Sequence, residues 1–377
     1  MKVNQWTLGL AAAGVISFGA VAQAEEKPSH QVLTAVSSTA LSGYVSTSAT
    51  WQPGKSVPNA GYSYAKGEGF SLDVIDIKLS SPLAEGEYAT GYNVELWVGP
   101  DANLYGNSLA PGGFLPSDIA IKNANVSLNI PVGNGLTAKL GVFDTVVGYE
   151  SANSVENPNY TRSVGYSIEP TSHTGLLLGY KVCDGFSANV GVANSYDAAL
   201  NANRSANSQF TYLASVSITA PDSLGFLKGA VLNAGVVDGF KTTSLVTAAD
   251  QTLLYVGATL PTWIDALKLG VSYDHLNVDK SSTDQDALGL YASYKLSDKL
   301  SLNSRFEYAL AGTGVGNATE LGIATLTLDY ALWANVVSRL EYRLVHDLNG
   351  SKGAATTAGV ASRNNAHSLI AQIAYKF

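Results

Sequence analysis

The chain has 377 residues, of which 46% are hydrophobic and only 14% are charged, and it carries 37 glycines and 20 tyrosines. Its net charge of −8 argues against nucleic acid as a partner, because a phosphate backbone calls for a basic surface. The single cysteine, Cys183, excludes an internal disulfide, and we assign it no role.

The first 24 residues have the pattern of a secretory signal peptide. Lys2 supplies the positive start, residues 8–21 are mostly apolar, and Ala22-Gln23-Ala24 is a small-residue cleavage site. The apolar run is too short for a spanning helix and is followed at once by two glutamates. We therefore expect an exported chain, with residues 1–24 removed and residues 25–38 forming a polar periplasmic lead-in.

From residue 39 onwards, apolar and polar side chains alternate in short segments. A strand presents successive side chains on opposite faces, so this period of two predicts β-strands. The sixteen predicted strands are 39–50, 70–80, 87–98, 119–130, 135–144, 173–183, 186–196, 208–220, 227–238, 252–261, 266–277, 286–296, 299–310, 320–329, 335–346 and 367–377.

The connections between these segments alternate strictly between long and short. The short connections carry turn residues, such as Pro131-Val132-Gly133-Asn134, Asp184-Gly185 and Pro221-Asp222. An antiparallel meander with long loops at one end and tight turns at the other is typical of an outer-membrane barrel. We therefore predict that residues 39–377 form one transmembrane antiparallel barrel of about sixteen strands, with fourteen or eighteen as the alternative counts.

The two faces of the predicted strands differ sharply. In 299–310, Leu300, Leu302, Phe306 and Tyr308 oppose Ser301, Asn303, Arg305 and Glu307; in 335–346, Leu340, Tyr342 and Leu344 oppose Arg339, Glu341 and Arg343. A charge at mid-membrane on the lipid face costs roughly 2–4 kcal/mol, so the polar face must look inward, onto water. Strand 320–329 has no clear face and Asp73 is out of phase, which indicates a bulge or a misplaced boundary.

The last strand, 367–377, ends on an aromatic residue within a fully apolar face. Tyr375 and Phe377 lie on that face, and a terminal strand of this kind resembles the signal that the barrel-assembly machinery reads. An edge strand of a soluble sandwich is the alternative interpretation of this segment alone.

The third long connection, 145–172, is rich in charges and tyrosines. It carries Glu150, Glu156, Arg162 and Glu169, and a loop of this length is usually functional or disordered. Two placements are open: folded into the lumen opposite a charged wall, or packed outside. For the first placement we predict a set of pore-lining residues: Glu150, Glu156, Arg162, Glu169, Arg305, Glu307, Arg339, Glu341 and Arg343.

Several segments around this loop carry a family resemblance. Gly141-Val142-Phe143-Asp144-Thr145, Gly148-Tyr149-Glu150, residues 157–163 and residues 169–175 resemble the OmpL-like β-barrel porin family, and residues 41–45 are similar to that family's first strand. The resemblance implies a bacterial outer-membrane porin-like barrel. It brings no substrate and no catalytic residues.

We therefore expect a porin that allows passive diffusion of small hydrophilic solutes or ions, with outer-membrane lipid and the assembly machinery as partners. A homotrimer is suggested by analogy of fold. The alternative is a plugged structural or adhesion barrel. We expect no enzyme, since the adjacent Ser172 and His173 point to opposite faces of a strand. We expect no cofactor or metal, because the five histidines are scattered.

Overall fold

The computed structural model describes residues 39–53, 64, 66–83, 86–105, 118–196, 209–241, 249–279, 284–311, 319–348 and 365–377. The expected signal peptide and lead-in, residues 1–38, lie outside these residues. The strands are β1 Ala40–Trp51, β2 Gly69–Ser81, β3 Thr90–Val98, β4 Ile119–Ile130, β5 Leu136–Asp144, β6 Ser172–Cys183, β7 Phe186–Ala193, β8 Thr211–Thr219, β9 Val231–Lys241, β10 Ala249–Pro261, β11 Leu267–Val278, β12 Gln285–Lys295, β13 Leu300–Ala311, β14 Thr319–Tyr330, β15 Val336–Asp347 and β16 Asn365–Lys376.

Short helices occur in the connections. They are α1 Pro100–Tyr105, α2 Val164–Ile168 and the 3₁₀ helices Ser154–Glu156 and Asp222–Leu227. Within the described part of the chain, no helix is both long enough and apolar enough to cross a membrane.

The sixteen strands form one closed antiparallel barrel. Each strand pairs with its neighbours in sequence, and β1 pairs with β16 from Tyr44 opposite Lys376 to Trp51 opposite Leu369. Because the strand count is even, the start of β1 and the end of β16 lie at the end of the barrel that carries the short turns. The predicted fold, with sixteen strands at nearly the predicted positions, is confirmed.

The seam between the first and last strands contains the terminal aromatic residue. The backbone N–H groups of Gly43 and Phe377 each donate to the carbonyl oxygen of the other residue, both at 3.0 Å. A Cβ on Gly43 would lie 2.0 Å from the Asp76 carbonyl oxygen and 3.0 Å from the Phe377 ring. A glycine is therefore needed at the point where three strands approach closely.

The outward and inward faces follow the predicted alternation. On β13, Phe306 is 56% exposed whereas Arg305 is fully buried. On β15, Leu340 and Tyr342 are exposed whereas Glu341 and Arg343 are buried. These charged side chains are buried because they point into the lumen and contact other parts of the barrel interior. The apolar side chains between them face outward.

The irregular strands have two different explanations. The register between β1 and β2 shifts so that Asp73 is the extra residue, and both Asp73 and Val74 are buried; the predicted irregularity is a bulge. Strand β14 is regular throughout its pairing with β13. The sequence did not show which side of β14 faces the lumen, because the inward residues are apolar at Leu321 and Ile323 but polar at Thr325 and Thr327.

Candidate functional site

The third long connection, residues 145–171, lies inside the barrel. Of the two placements that the sequence left open, the structure has the inward one. Ser163 caps helix α2 by accepting a hydrogen bond from the Tyr166 N–H at 3.1 Å, and most of the loop's side chains are buried, including those of Tyr160, Thr161 and Val164. The loop is thus an ordered, internal element of the barrel.

Arg305 on β13 is the centre of one attachment. Its Nε lies 2.6 Å from Glu307 Oε1 and its Nη1 lies 2.8 Å from Glu150 Oε1 on the loop. The same guanidinium donates to the carbonyl oxygens of Thr161 at 2.6 Å and Arg162 at 3.0 Å. Because hydrogen bonds that involve a charged group are about twice as strong as neutral ones, this residue holds the loop against the wall.

Carboxylates on the same wall bind the loop's backbone. Glu341 accepts from the N–H groups of Tyr160 at 2.6 Å and Thr161 at 3.1 Å, and from Thr161 Oγ1 at 2.5 Å. Glu307 Oε2 accepts from the N–H of Val164 at 2.7 Å. These loop N–H groups are therefore paired with charged acceptors rather than with water.

The attachment continues around the barrel to the first strands. Arg339 donates to the Ser154 carbonyl oxygen at 2.7 Å and contacts Asp329 at 2.7 Å. Tyr160 Oη donates to Asp73 Oδ1 at 2.9 Å, which gives the bulged residue of β2 a partner on the loop. The loop consequently spans the lumen and contacts the wall formed by β13–β16, β1 and β2.

The remaining loop charges have other surroundings. Glu156 accepts from Ser151 Oγ at 2.6 Å and Asn153 Nδ2 at 3.2 Å within the loop, and burial raises its pKa. Glu169 faces Asp274 of β11; burial and then the Asp274 carboxylate raise the Glu169 pKa. The Arg162 guanidinium stacks over the Tyr64 ring with its centre 4.2 Å from the ring centroid.

Arg343 is the exception on the charged wall. It is 1% exposed, and its Nε and Nη1 have no hydrogen-bond partner among the described residues. The sequence analysis placed the acidic loop opposite a charged wall, and the structure brings the two into direct contact at Arg305 and Glu150. Among the described residues, neither Glu156 nor Glu169 forms an ion pair with Arg305, Arg339 or Arg343.

A second cluster of charges was missed by the sequence analysis. Lys122 Nζ lies 3.2 Å from Glu95 Oε1 and 3.0 Å from Asp144 Oδ1, beside Tyr105 of helix α1. The register between β3 and β4 shifts at Lys122, so that Lys122 and Asn123 both point inward. Strict alternation would place Lys122 on the lipid face, where a charged side chain is energetically costly. That cost was the one signal in the sequence that a bulge lies here.

Two cavities adjoin the docked loop. The larger, of about 450 Å³, is lined by Glu150, Glu156 and Glu169 of the loop and by Asn233, Tyr255 and Thr259 of β9 and β10. The smaller, of about 330 Å³, is lined by β2–β7, including Lys78, Lys139 and Asn189. Asp144 lines both cavities. The two cavities therefore lie on the β2–β10 side of the barrel.

The nine predicted pore-lining residues thus fall into two groups. Glu150, Glu156 and Glu169 line the larger cavity. The lining of the two cavities does not include the other six, which are Arg162, Arg305, Glu307, Arg339, Glu341 and Arg343. Among the described residues, no group of three or more His, Cys, Asp or Glu is arranged to hold a metal ion.

Comparison with known proteins gives one family match. The profile of the family described as "Putative beta-barrel porin-2, OmpL-like" matches residues 38–377, nearly the whole described chain. No curated protein matches the sequence.

Solved outer-membrane proteins share the fold. The outer membrane channel DcaP of Acinetobacter baumannii has a TM-score of 0.60 at 11% identity, with 90% of this chain and 97% of that chain covered. The anion-selective porin from Comamonas acidovorans gives 0.59 at 13%, covering 90% and 99%. The in-vitro folded OmpT of Vibrio cholerae gives 0.57 at 15%, covering 90% and 97%. At these identities the likeness concerns the barrel fold.

Proposed function

This chain belongs to the OmpL-like family of β-barrel porins, and from that membership we propose that it lets small hydrophilic solutes diffuse passively across the bacterial outer membrane. The observation that carries the proposal is the pair of cavities that share Asp144 in their linings. A closed barrel of sixteen strands is wide enough to enclose an aqueous channel. The loop narrows the lumen on one side and leaves the β2–β10 side for solutes.

The proposed path is lined by carboxylates on its loop side. Glu150, Glu156 and Glu169 line the larger cavity, so we keep the pore-lining prediction for these three. Screening at physiological salt acts over about 8 Å, comparable to the width of a narrow pore, so ions that pass should feel these charges. We expect mild cation selectivity.

The six other residues support a different proposed role. Arg305, Glu307, Arg339 and Glu341 bind the loop from the wall, and Arg162 holds it from within through the Tyr160 carbonyl oxygen at 2.9 Å. Arg343 lies on the same wall. We propose that these residues set pore size by anchoring the loop, so deletion of residues 152–165 should raise single-channel conductance.

Export of the chain and its assembly into the outer membrane are also part of the proposal. Export by a signal peptide at residues 1–24 rests on the sequence pattern, and recognition by the barrel-assembly machinery rests on Tyr375 and Phe377. A homotrimer is supported by the fold shared with the trimeric form of Vibrio cholerae OmpT. We propose a channel without catalytic activity, in keeping with the porin family.

The test is conductance and reversal potential of the refolded protein in planar bilayers. We expect discrete channels, and at a pH above the raised pKa values of Glu156 and Glu169 the double substitution Glu156→Gln and Glu169→Gln should shift selectivity towards anions. Asp298→Asn is the matched control, because this exposed carboxylate lies on a short turn outside the lumen. Unchanged selectivity in the double variant would place the solute path elsewhere. If no channel forms under any condition, the plugged structural barrel replaces the porin.

A further inference from the structure

The smaller cavity has a lining that differs from the rest of the lumen. It lies against the inner side of β2–β7, next to the short β2–β3 connection, and combines two lysines with several asparagines. We propose that this cavity is a binding site for small carboxylates that carry hydroxyl groups. The proposal rests on the diffusion function above and names a solute class for it.

The charge of the cavity favours an anion. Lys78 on β2 and Lys139 on β5 both line it, and Lys78 also lies 3.7 Å from Glu95 Oε2, which is not part of the lining. Asp144 is the one carboxylate in the lining, and it is already bound to Lys122 at 3.0 Å and to Asn123 at 3.2 Å. Two ammonium groups around a cavity that is partly shielded from water attract a carboxylate more strongly than they would in bulk solvent.

The amides favour hydroxyl groups on that anion. Asn93, Asn125 and Asn189 extend from three different strands into the lining. Asn125 Nδ2 donates to the Val142 carbonyl oxygen at 2.7 Å, and Asn189 Nδ2 donates to Ser215 Oγ at 3.1 Å. Amide side chains both donate and accept hydrogen bonds, as hydroxyl groups do, whereas a carboxylate only accepts. A solute that carries hydroxyl groups can therefore use more of this lining than a carboxylate alone.

Glycines allow the lining to pack closely. A Cβ on Gly91 would lie 2.8 Å from the Leu83 N and 2.8 Å from the Ser81 O, and a Cβ on Gly179 would lie 2.8 Å from Asn189 Oδ1, so only glycine admits these neighbours. A volume of about 330 Å³ is at the lower end of the roughly 300–1,000 Å³ typical of small-molecule sites.

Three solutes of similar length separate charge from hydroxyl recognition. Gluconate carries both features, sorbitol carries only hydroxyl groups and hexanoate carries only the charge. Each is added to the full protein in planar bilayers, and transient interruptions of single-channel current give a dissociation constant. We expect gluconate to bind about tenfold more tightly than either of the others, the factor that one hydrogen bond to a charged group contributes.

Substitutions assign the effect to the cavity. Lys139→Gln should raise the gluconate dissociation constant about tenfold and leave that of sorbitol unchanged. Asn189→Leu should weaken both gluconate and sorbitol. Lys268→Gln is the matched control, because Lys268 shares the inward side of β11 with buried Ser272 and Asp274, away from this lining. Lys78→Gln replaces Lys139→Gln if the latter does not yield a heat-modifiable, folded barrel.

Two results would overturn the site while leaving the porin intact. One is a conducting channel that the three solutes interrupt equally. The other is an equal effect of Lys268→Gln and Lys139→Gln, which would mean that the general charge of the lumen acts and not a built cavity. A protein that forms no channel at all overturns the proposed function, and with it the site.

Discussion

Glu341→Gln should release the docked loop while preserving the barrel. Glu341 Oε1 accepts from the N–H and the hydroxyl of Thr161, and Oε2 accepts from the Tyr160 N–H and from Thr327 Oγ1 at 2.8 Å. In glutamine one of these oxygens becomes an NH₂ group, which faces two donors instead of accepting from them. Whichever way the amide lies, two bonds to a charged acceptor are lost.

The size of the effect follows from the bonds that reach the loop. If the NH₂ group replaces Oε2, one of the two lost bonds is to Thr327 of β14, so the loop loses at least one bond to a charged acceptor. Each such bond contributes about 1.5–3 kcal/mol, and at the lower value the ratio of undocked to docked loop rises by about 10-fold. The strands themselves change little, because glutamine is nearly the same size as glutamate and the β15 pairing partners are backbone groups.

Single-channel recording measures this directly. We expect Glu341→Gln to show larger mean conductance and frequent transitions between conductance levels, with normal heat-modifiability of the folded barrel. Glu320→Gln on β14 is the control, since Glu320 alternates with the inward-facing Leu321 and Ile323 and so lies on the other face of the strand. Conductance and current noise equal to those of the unmodified protein would refute the anchoring role of Glu341.

Three further predictions test the faces, the seam and the loop's acid groups. Leu302→Arg should destabilise the barrel by roughly 2–4 kcal/mol and Asn303→Arg by much less, because Leu302 faces lipid and Asn303 faces the lumen. Reversible unfolding from lipid vesicles measures both losses, and equal losses would mean a register error of one residue. Phe377→Asp should remove the heat-modifiable barrel from outer membranes while export continues, because it replaces the exposed aromatic ring at the end of the last strand with a charge; normal barrel levels would contradict this. Since burial and Asp274 raise the pKa of Glu169, docking of the loop is fully favourable below the ordinary glutamate pKa and weakens as pH rises through the raised value. Current noise should therefore grow as pH rises through the raised pKa of Glu169 and should grow less in Glu169→Gln; a parallel pH profile in that variant would exclude Glu169 as the source.

The strands could be predicted well because their pattern is local. In 299–310 and 335–346 the alternation of charge and apolar side chains assigns every residue to lipid or lumen, since a charge in lipid is costly wherever it occurs. Strand β14 shows the limit of this reasoning. Leu321 and Ile323 face the lumen because other apolar side chains such as Leu276 and Val345 lie beside them in the interior. Which neighbours those are depends on strands far away in sequence.

The two bulges show the same limit of reasoning from the sequence, here at single residues. Asp73 was visibly out of phase, because a carboxylate had to avoid lipid, whereas Lys122 was not recognised until the register between β3 and β4 was known. A bulge shifts one strand by one residue against its partner, and only the pairing shows on which residue the shift falls.

The sequence by itself determined the barrel, a count of about sixteen strands and, for most strands, the side that faces lipid, because these follow from the cost of exposing polar groups to hydrocarbon. It also identified the loop at 145–172 and the charged wall as the residues of interest. Only the tertiary structure decided that Glu150 contacts Arg305, that Glu341 binds the loop backbone and that Asp144 adjoins both cavities. Those contacts join residues up to 181 positions apart. A long loop reaches many sites at similar entropic cost, so the hydrogen bonds available in the closed barrel select among them.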